Sequence, residues 1–434
     1  AASDGRPSED GAADAGSAKE STIELELIEK RIEVPVGGIE LRSDGAAGKT
    51  AIVVPNEAPV PLEDVLFVRY GHAPRDAAPL DLRLVGGDSI RATVEGGGLE
   101  RLRLRHAAFS DPLVVPLENV HGIIVPGSFE TDAAREDFIA RAFAATAETD
   151  RLHLVTGDPL HGLVEAFEPS GVRFTRTGAS SLLYPWDKIR GLRFAELDDG
   201  DDDAGDGDES DSDPQGGARP SNARRGALAG VRLVDGTTIH GTLTTLSPQG
   251  ARIEHALLGA LELPAAWLHE IALTNGRCRF LSDLEPVKVE EHLGSLLVLE
   301  LPHRKDRSVL GGPLQLDGTL YSKGLGVHAF SRLEFDLGGE YTRFQTSIGL
   351  DDSARPPPGA SGDLGGAVVF RVFLDGKKLA EEPMSWRDAP KALDLDVSGG
   401  KRLTLEVDFG DDPFNPTRDR AAWAQARIVR PSRG

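Results

Sequence analysis

Hydrophobic and polar positions alternate with period two through much of this chain. From Ser331 to Leu337, Leu333, Phe335 and Leu337 fall on one face, and Arg332, Glu334 and Asp336 on the other. Lys401 to Phe409 repeats the pattern with Leu403, Leu405, Val407 and Phe409. Strict alternation predicts half-buried strands. Val368 to Leu374 is more continuously apolar, as a central strand is, and Asp375-Gly376 after it predicts a hairpin turn. Short strands separated by Gly and Asp turns predict a sandwich for the C-terminal third.

The stretch before it contains a repeat. Leu82-Arg-Leu-Val-Gly-Gly-Asp-Ser-Ile-Arg-Ala, Leu152-His-Leu-Val-Thr-Gly-Asp-Pro-Leu-His-Gly and Val231-Arg-Leu-Val-Asp-Gly-Thr-Thr-Ile-His-Gly align. Each reads as strand, tight Gly turn, strand. Each leads to a second half: Val114 to Val125, Leu183 to Phe194 and Leu261 to Leu273, with a Pro before the last strand. Val53 to Val68 reads as a degenerate copy of that second half. The pattern predicts small, strongly bent sheets of about five strands, similar to SH3-like or Sm-like barrels, as stacked or paired modules.

This divides the chain into a disordered tail (1–20), a β unit with its degenerate half-repeat (21–126), a helix (127–150) and a second unit (151–196). An acidic linker (197–226), a third unit (227–280), a connector (281–302) with one apolar strand from Leu296 to Leu301, and the C-terminal module (303–434) follow. Thr131 or Asp132 can cap the helix, and Phe138, Ile139 and Phe143 share its face, predicting that it packs across a barrel. Asp198 to Asp213 holds ten acidic residues, and reads as a self-repelling linker without the calcium-loop spacing of an EF-hand.

The composition narrows the function. Fifty Gly, 28 Pro and one Met favour a turn-rich, all-β chain over a helical one. A net charge of −22 argues against nucleic acid and anionic membrane surfaces. No apolar run reaches the length of a transmembrane helix. The N-terminus lacks an apolar signal core, which leaves a cytosolic protein or one whose signal was already removed, and the expected location is periplasmic or extracellular. Cys278, Trp186, Trp267 and the histidines His153, His161, His240, His255 and His269 read as structural residues, none at zinc-site spacing. No nucleophile elbow, phosphate loop or zinc helix occurs, which predicts a protein that is not an enzyme.

Four pieces of the last third carry a resemblance: Leu316 to Ala329, Ile348 to Asp352, Val372 to Gly376, and Asp419-x-x-x-Trp423-Ala424. With these in order, the stretch resembles the NPCBM family of carbohydrate-binding modules, and Arg420 stands where the family motif tends to carry His. The resemblance implies a galactose-binding-like β-sandwich (jelly roll) that binds sugar as an appendage to other domains. Family leader sequences place its edge as early as Phe280.

Sugar recognition needs an aromatic face and planar polar side chains that take paired hydroxyls, held by loops at one end of the sheets. The candidates are Tyr321, His328, Asp351, Asp352, Arg355, Trp386, Asp419, Arg420 and Trp423, with Trp386 as the exposed platform. Asp351 and Asp352 are also candidates for a structural Ca2+. The expected function is non-catalytic binding of a glycan or cell-surface polysaccharide. The alternative is a structural scaffold subunit of an envelope assembly that binds protein.

Overall fold

The computed structural model describes residues 22–44, 49–143, 147–195, 227–274, 277–292, 301–356, 365–410 and 418–432. The expected tail, the acidic linker and most of the Leu296–Leu301 strand lie outside them.

Among the described residues the repeat occurs four times. The second unit in the chain shows the plan most clearly: Leu80–Leu84, Ser89–Gly97, Arg101–Arg105, Leu113–Pro116, a 3-10 turn Leu117–Asn119, and Val120–Ile124. Its first strand pairs with both the second and the last, which bends the sheet round. Its long second strand kinks at a bulge between Val94 and Gly96. The third and fourth units follow the same plan, with bulges at Val164/Ala166 and Leu243/Thr245. In every unit a Pro (Pro61, Pro116, Pro185, Pro264) immediately precedes the 3-10 turn, where its fixed φ suits the bend.

The segment read as a degenerate half belongs to a full unit that starts at Thr22. Thr22–Leu27 pairs with Arg31–Pro35 and with Val65–Tyr70, as first strands do in the other units. The second strand here is broken into Arg31–Pro35 and Glu40–Asp44 by a 3-10 turn at Val36–Gly38. The break interrupts the long second strand, and Ile28-Glu29-Lys30 stands where the other first halves carry the Gly turn.

Last strands join the units in pairs. Val120–Ile124 pairs with Ile189–Arg193, and Val65–Tyr70 pairs with Leu268–Thr274. Units two and three share one hydrophobic core, and units one and four another. The helix Asp132–Phe143 lies over the seam of the first pair rather than over one barrel. A Cβ on Gly122 would lie 2.5 Å from the Phe143 ring, and one on Gly191 would lie 2.9 Å from the Phe138 ring. These two glycines make the notch in which the helix sits.

A reciprocal exchange locks units two and four together. His255 accepts the Leu257 N–H at Nδ1 (3.0 Å), so Nε2 carries the proton and donates to Asp88 at 2.6 Å. His106 accepts the Ala108 N–H at Nδ1 (3.0 Å), and its Nε2 meets Thr237 Oγ1 at 3.1 Å and Asp235 at 3.0 Å. His240 adds a second imidazole to Asp88 at 2.6 Å. Burial pushes the Asp88 carboxyl up, but hydrogen bonds from His240 and His255 outweigh it and hold Asp88 below the usual range. Asp235 is held down likewise, against burial, by His106.

The C-terminal module is a sandwich of two antiparallel sheets. One runs Arg304–Lys305, Gly324–His328, Arg420–Val429, Arg343–Leu350, Lys391–Asp396, with Cys278–Phe280 added along Arg420–Val429. The other runs Lys288–Glu291, Ser331–Asp336, Arg402–Phe409, Ala367–Leu374, Lys377–Ser385. Asp375 (φ 48°) and Gly376 (φ 80°) form the hairpin turn read from the sequence. The sheets therefore take in Cys278–Phe280 and Lys288–Glu291, which a module edge at residue 303 leaves out. These short strands lacked the long alternation that marks the others.

Cys278 is buried, and burial pushes its thiol up to about 12. Trp186 and Trp267 pack against the unit cores.

The lowered carboxyls fix the sign of the acid response. Their contribution is complete above about pH 4, the ordinary unfolded value, and is lost as pH falls through the lower folded values. Thermal unfolding is expected to move to lower temperature below about pH 4. Asp88→Asn should start lower and show a flatter dependence there. Equal slopes for the two proteins would count against the assignment.

Candidate functional site

One end of the sandwich gathers most of the residues singled out by the sequence. Arg343–Leu350 ends at the 3-10 turn Asp352–Ala354, beside the start of Arg420–Val429. The Asp351 N–H donates to the Arg420 carbonyl at 2.9 Å, and Arg420 Nη1 donates to the Ser353 carbonyl at 2.7 Å. Asp419 accepts the Ala367 N–H at 3.0 Å, and its carbonyl accepts the Ala329 N–H at 3.0 Å. His328 pairs across the ladder with Arg420, is buried, and contacts the Ala329 carbonyl through Nδ1 at 2.6 Å.

Asp351 and Asp352 act as backbone clamps. Asp351 accepts from Ser353 N at 3.0 Å and Gln315 N at 3.1 Å. Asp352 accepts from Asp317 N at 3.0 Å and Gly318 N at 2.8 Å, holding the turn of the hairpin Leu314–Leu316 and Thr319–Tyr321. Burial raises the Asp351 carboxyl, and its two N–H partners only partly offset this. Burial likewise lowers Arg420, with Arg418 adding like charge.

These two carboxylates do not fit calcium. The oxygens that would bind a cation already receive N–H groups, and Asp352 also takes the Arg355 guanidinium at 3.2 Å. Among the described residues, no group of three His, Cys, Asp or Glu side chains is placed to hold a metal.

Arg355 is exposed at this end. It is anchored to Asp317 at 2.7 Å and to Asp352, and these bonds hold its charge firmly. Its carbonyl accepts from Arg418 Nη1 at 2.7 Å. A planar donor fork fixed by two carboxylates suits vicinal hydroxyls, which accept bidentately. Asp317 escaped the sequence reading as a site residue. Its signal was the Asp-Gly turn inside the Leu316 to Ala329 run.

Of the aromatic candidates, Trp386 lies at this end, its backbone N–H donating to the Gly366 carbonyl at 3.0 Å beside Ala367 and Asp419. Trp423 is 1% exposed and meets Phe370 edge to face at 4.9 Å in the core, so it cannot touch a ligand. Trp386 is half-buried against the core, its ring covered by Arg387 at 4.6 Å and its edge met by Gly365. It is therefore not an open platform. Tyr321 packs on Leu314, Leu316, Ala422 and Ala424 outside the sandwich core. The long loop from Arg355 to Gly366 lies mostly outside the described residues.

The model of the NPCBM/NEW2 domain matches residues 278–429. Residues 278–429 are an NPCBM domain. The match begins at the short strand Cys278–Phe280, in agreement with the sheet pairing. A protein of Renibacterium salmoninarum named for an endo-alpha-N-acetylgalactosaminidase is 33% identical over 121 residues, 27% of this chain. The aligned residues span 7% of that relative's length. Two solved structures of carbohydrate-binding modules are similar. The CBM51 of a Clostridium perfringens GH95 protein, solved with methyl-galactose, is 24% identical with a TM-score of 0.30, covering 35% of this chain and 99% of that one. The tandem CBM51 modules of a Streptococcus pneumoniae family 98 glycoside hydrolase are 16% identical with a TM-score of 0.31, covering 48% of this chain and 72% of theirs.

The clamps make a stability prediction about the NPCBM domain. Asp352→Ala removes the carboxylate acceptor of two backbone N–H groups and should cost about 1–3 kcal/mol in urea unfolding. Excess calcium or a chelator should leave the thermal midpoint of the wild type unchanged. A calcium-dependent rise would restore the metal reading.

Proposed function

We propose that this chain is a non-catalytic glycan-binding protein, whose NPCBM domain binds sugar at the Asp351–Arg355 end of the sandwich. The observation that carries the reading is the family match over residues 278–429. The geometry adds an exposed Arg355 fork, held by Asp317 and Asp352, beside Arg418 and Arg420. The four barrel-like units then serve as a display for the domain. A periplasmic or extracellular location follows from this reading, since surface polysaccharides lie there. The Renibacterium relative is a far longer protein, and the aligned residues span 7% of it.

A second reading, an assembly subunit, draws on one feature of unit three. Its strand Ser181–Pro185 pairs only with Gly171–Arg176 among the described residues, and Leu182 (55% exposed) and nearby Leu163 (53%) lie open to solvent. An apolar strand edge is a template for another chain.

A glycan array probed with the full chain tests the first reading. Specific glycans should be retained, and Arg355→Ala should weaken them about tenfold or more, the worth of a charge-assisted hydrogen bond. Chromogenic glycosides should stay intact. A folded chain that retains no glycan would move the assignment to the assembly reading.

A further inference from the structure

A second concave surface lies away from that end, where the first unit meets the outer face of the NPCBM domain. We infer that this cleft is a further binding site for a small, neutral, hydroxyl-rich molecule such as a single sugar ring. It is lined by the turn Glu26–Arg31 of the first unit and by Gln345, Asp394, Gln425 and Arg427 of the domain. Its volume is about 260 Å³, below the about 300 Å³ at which pockets for drug-sized ligands begin.

The floor is built from buried planar polar groups. Glu26, Gln345 and Gln425 are 4%, 7% and 6% exposed. Gln425 Nε2 donates to Glu26 at 3.1 Å, and its Oε1 accepts from Arg427 at 3.4 Å. Arg427 Nε donates to Gln345 Oε1 at 3.0 Å, and Gln345 Nε2 donates to Asp394 at 3.1 Å. An amide has two N–H donors and two oxygen lone pairs. Each of these amides uses one of each, so one donor and one acceptor remain on both. A hydroxyl donates and accepts at once, so adjacent hydroxyls match such a floor.

The charge of the lining selects for neutrality. Glu26, Glu29 and Asp394 balance Lys30, Arg31 and Arg427. A cation or anion would leave one set uncompensated. The backbone is also shaped here. Gln425 takes φ +50°, and the ladder between Arg343–Leu350 and Arg420–Val429 bulges between Gln345 and Ser347. Left-handed non-glycine residues are strained and persist where surroundings enforce them. Bulges re-aim side chains, and here both amides lie at the distortion. Ile28 and Leu393 supply apolar contact on the two walls.

The site needs both bodies, so it exists only in the intact chain. It rests on its own residues and stands whether or not the Arg355 end binds sugar. Isothermal titration of the full chain with methyl galactoside and with N-acetylglucosamine tests it, on four proteins. These are the wild type, Arg355→Ala, the double variant Gln345→Ala with Gln425→Ala, and Ala392→Trp. Ala392 lines the cleft and is exposed, so a Trp there fills the mouth without removing a side-chain hydrogen bond. Saturable binding of at least one sugar should survive Arg355→Ala, weaken about tenfold or more in the double variant, and disappear in Ala392→Trp. Binding lost in Arg355→Ala but kept in Ala392→Trp would overturn the cleft and leave the first site standing. Binding kept in Arg355→Ala, weakened in the double variant and lost in Ala392→Trp would do the opposite. A folded wild type that binds neither sugar would reduce the cleft to a polar joint, while the array still decides the other end.

Discussion

Phe280 is the side chain through which the two halves of the molecule hold each other. It is 1% exposed, and its strand closes the edge of the NPCBM sheet along Arg420–Val429. Its ring meets Phe67 of the first unit at 5.4 Å, inside a cluster with Ile28, Leu66, Ala272, Cys278 and Val429. Full burial of such a side chain is worth about 1.5–3 kcal/mol. The polar contacts around the cluster add direction. Arg277 pairs with Asp64, Arg343 bridges Asp394 to Glu29, and Arg69 joins Glu26 to Glu270 across the seam of units one and four. The domain, which the resemblance implied is an appendage to other domains, is seated on the repeats.

That seat obeys the logic of the helix. The seam between units two and three has glycines at Gly122 and Gly191, and the helix fills the notch with Phe143 and Phe138. In the aligned slots of units one and four stand Phe67 and Glu270. A large ring and a carboxylate there leave no room for a helix at that depth. They offer instead an apolar contact for Phe280 and an ion pair for Arg69. Two copies of one seam thus take different covers because of one residue in each strand.

Much of this fold was legible because period-two alternation and Pro or Gly punctuation are local signals. The sandwich, the Asp375-Gly376 hairpin, the helix and three repeats could be read from them. The first half of unit one could not, since Val36–Gly38 breaks the strand that carried the pattern elsewhere. The Asp88–His255 and His106–Asp235 exchange was also hidden, because pairing across units leaves no trace in spacing. His106 and His255 each close the third strand of their unit, and that shared slot was the available hint. At the candidate site, the motif residues were found but their tasks were misjudged. Trp423 sits on a strand covered on both faces, so it became core. Asp351 and Asp352, which follow a strand, could be read either as caps of a turn or as sugar or calcium ligands, and their geometry ties down turns.

The seating has a consequence for recognition. A domain on a flexible tether loses orientational freedom on binding and must offset that cost from its contacts. Here the cost is met once, on folding, by the Phe280 cluster and the Arg343 and Arg277 bridges. The Arg355 end and the cleft are both held by Arg343–Leu350 and Arg420–Val429, one strand pair with a bulge part-way along it. Beyond the bulge the ladder runs regularly to Leu350↔Ala421 and delivers the Asp351 clamp; at the bulge it turns Gln345 and Gln425 toward the first unit. A single irregular ladder thereby orients two polar surfaces relative to each other. Moving either would mean moving the strand that Phe280's own strand pairs with.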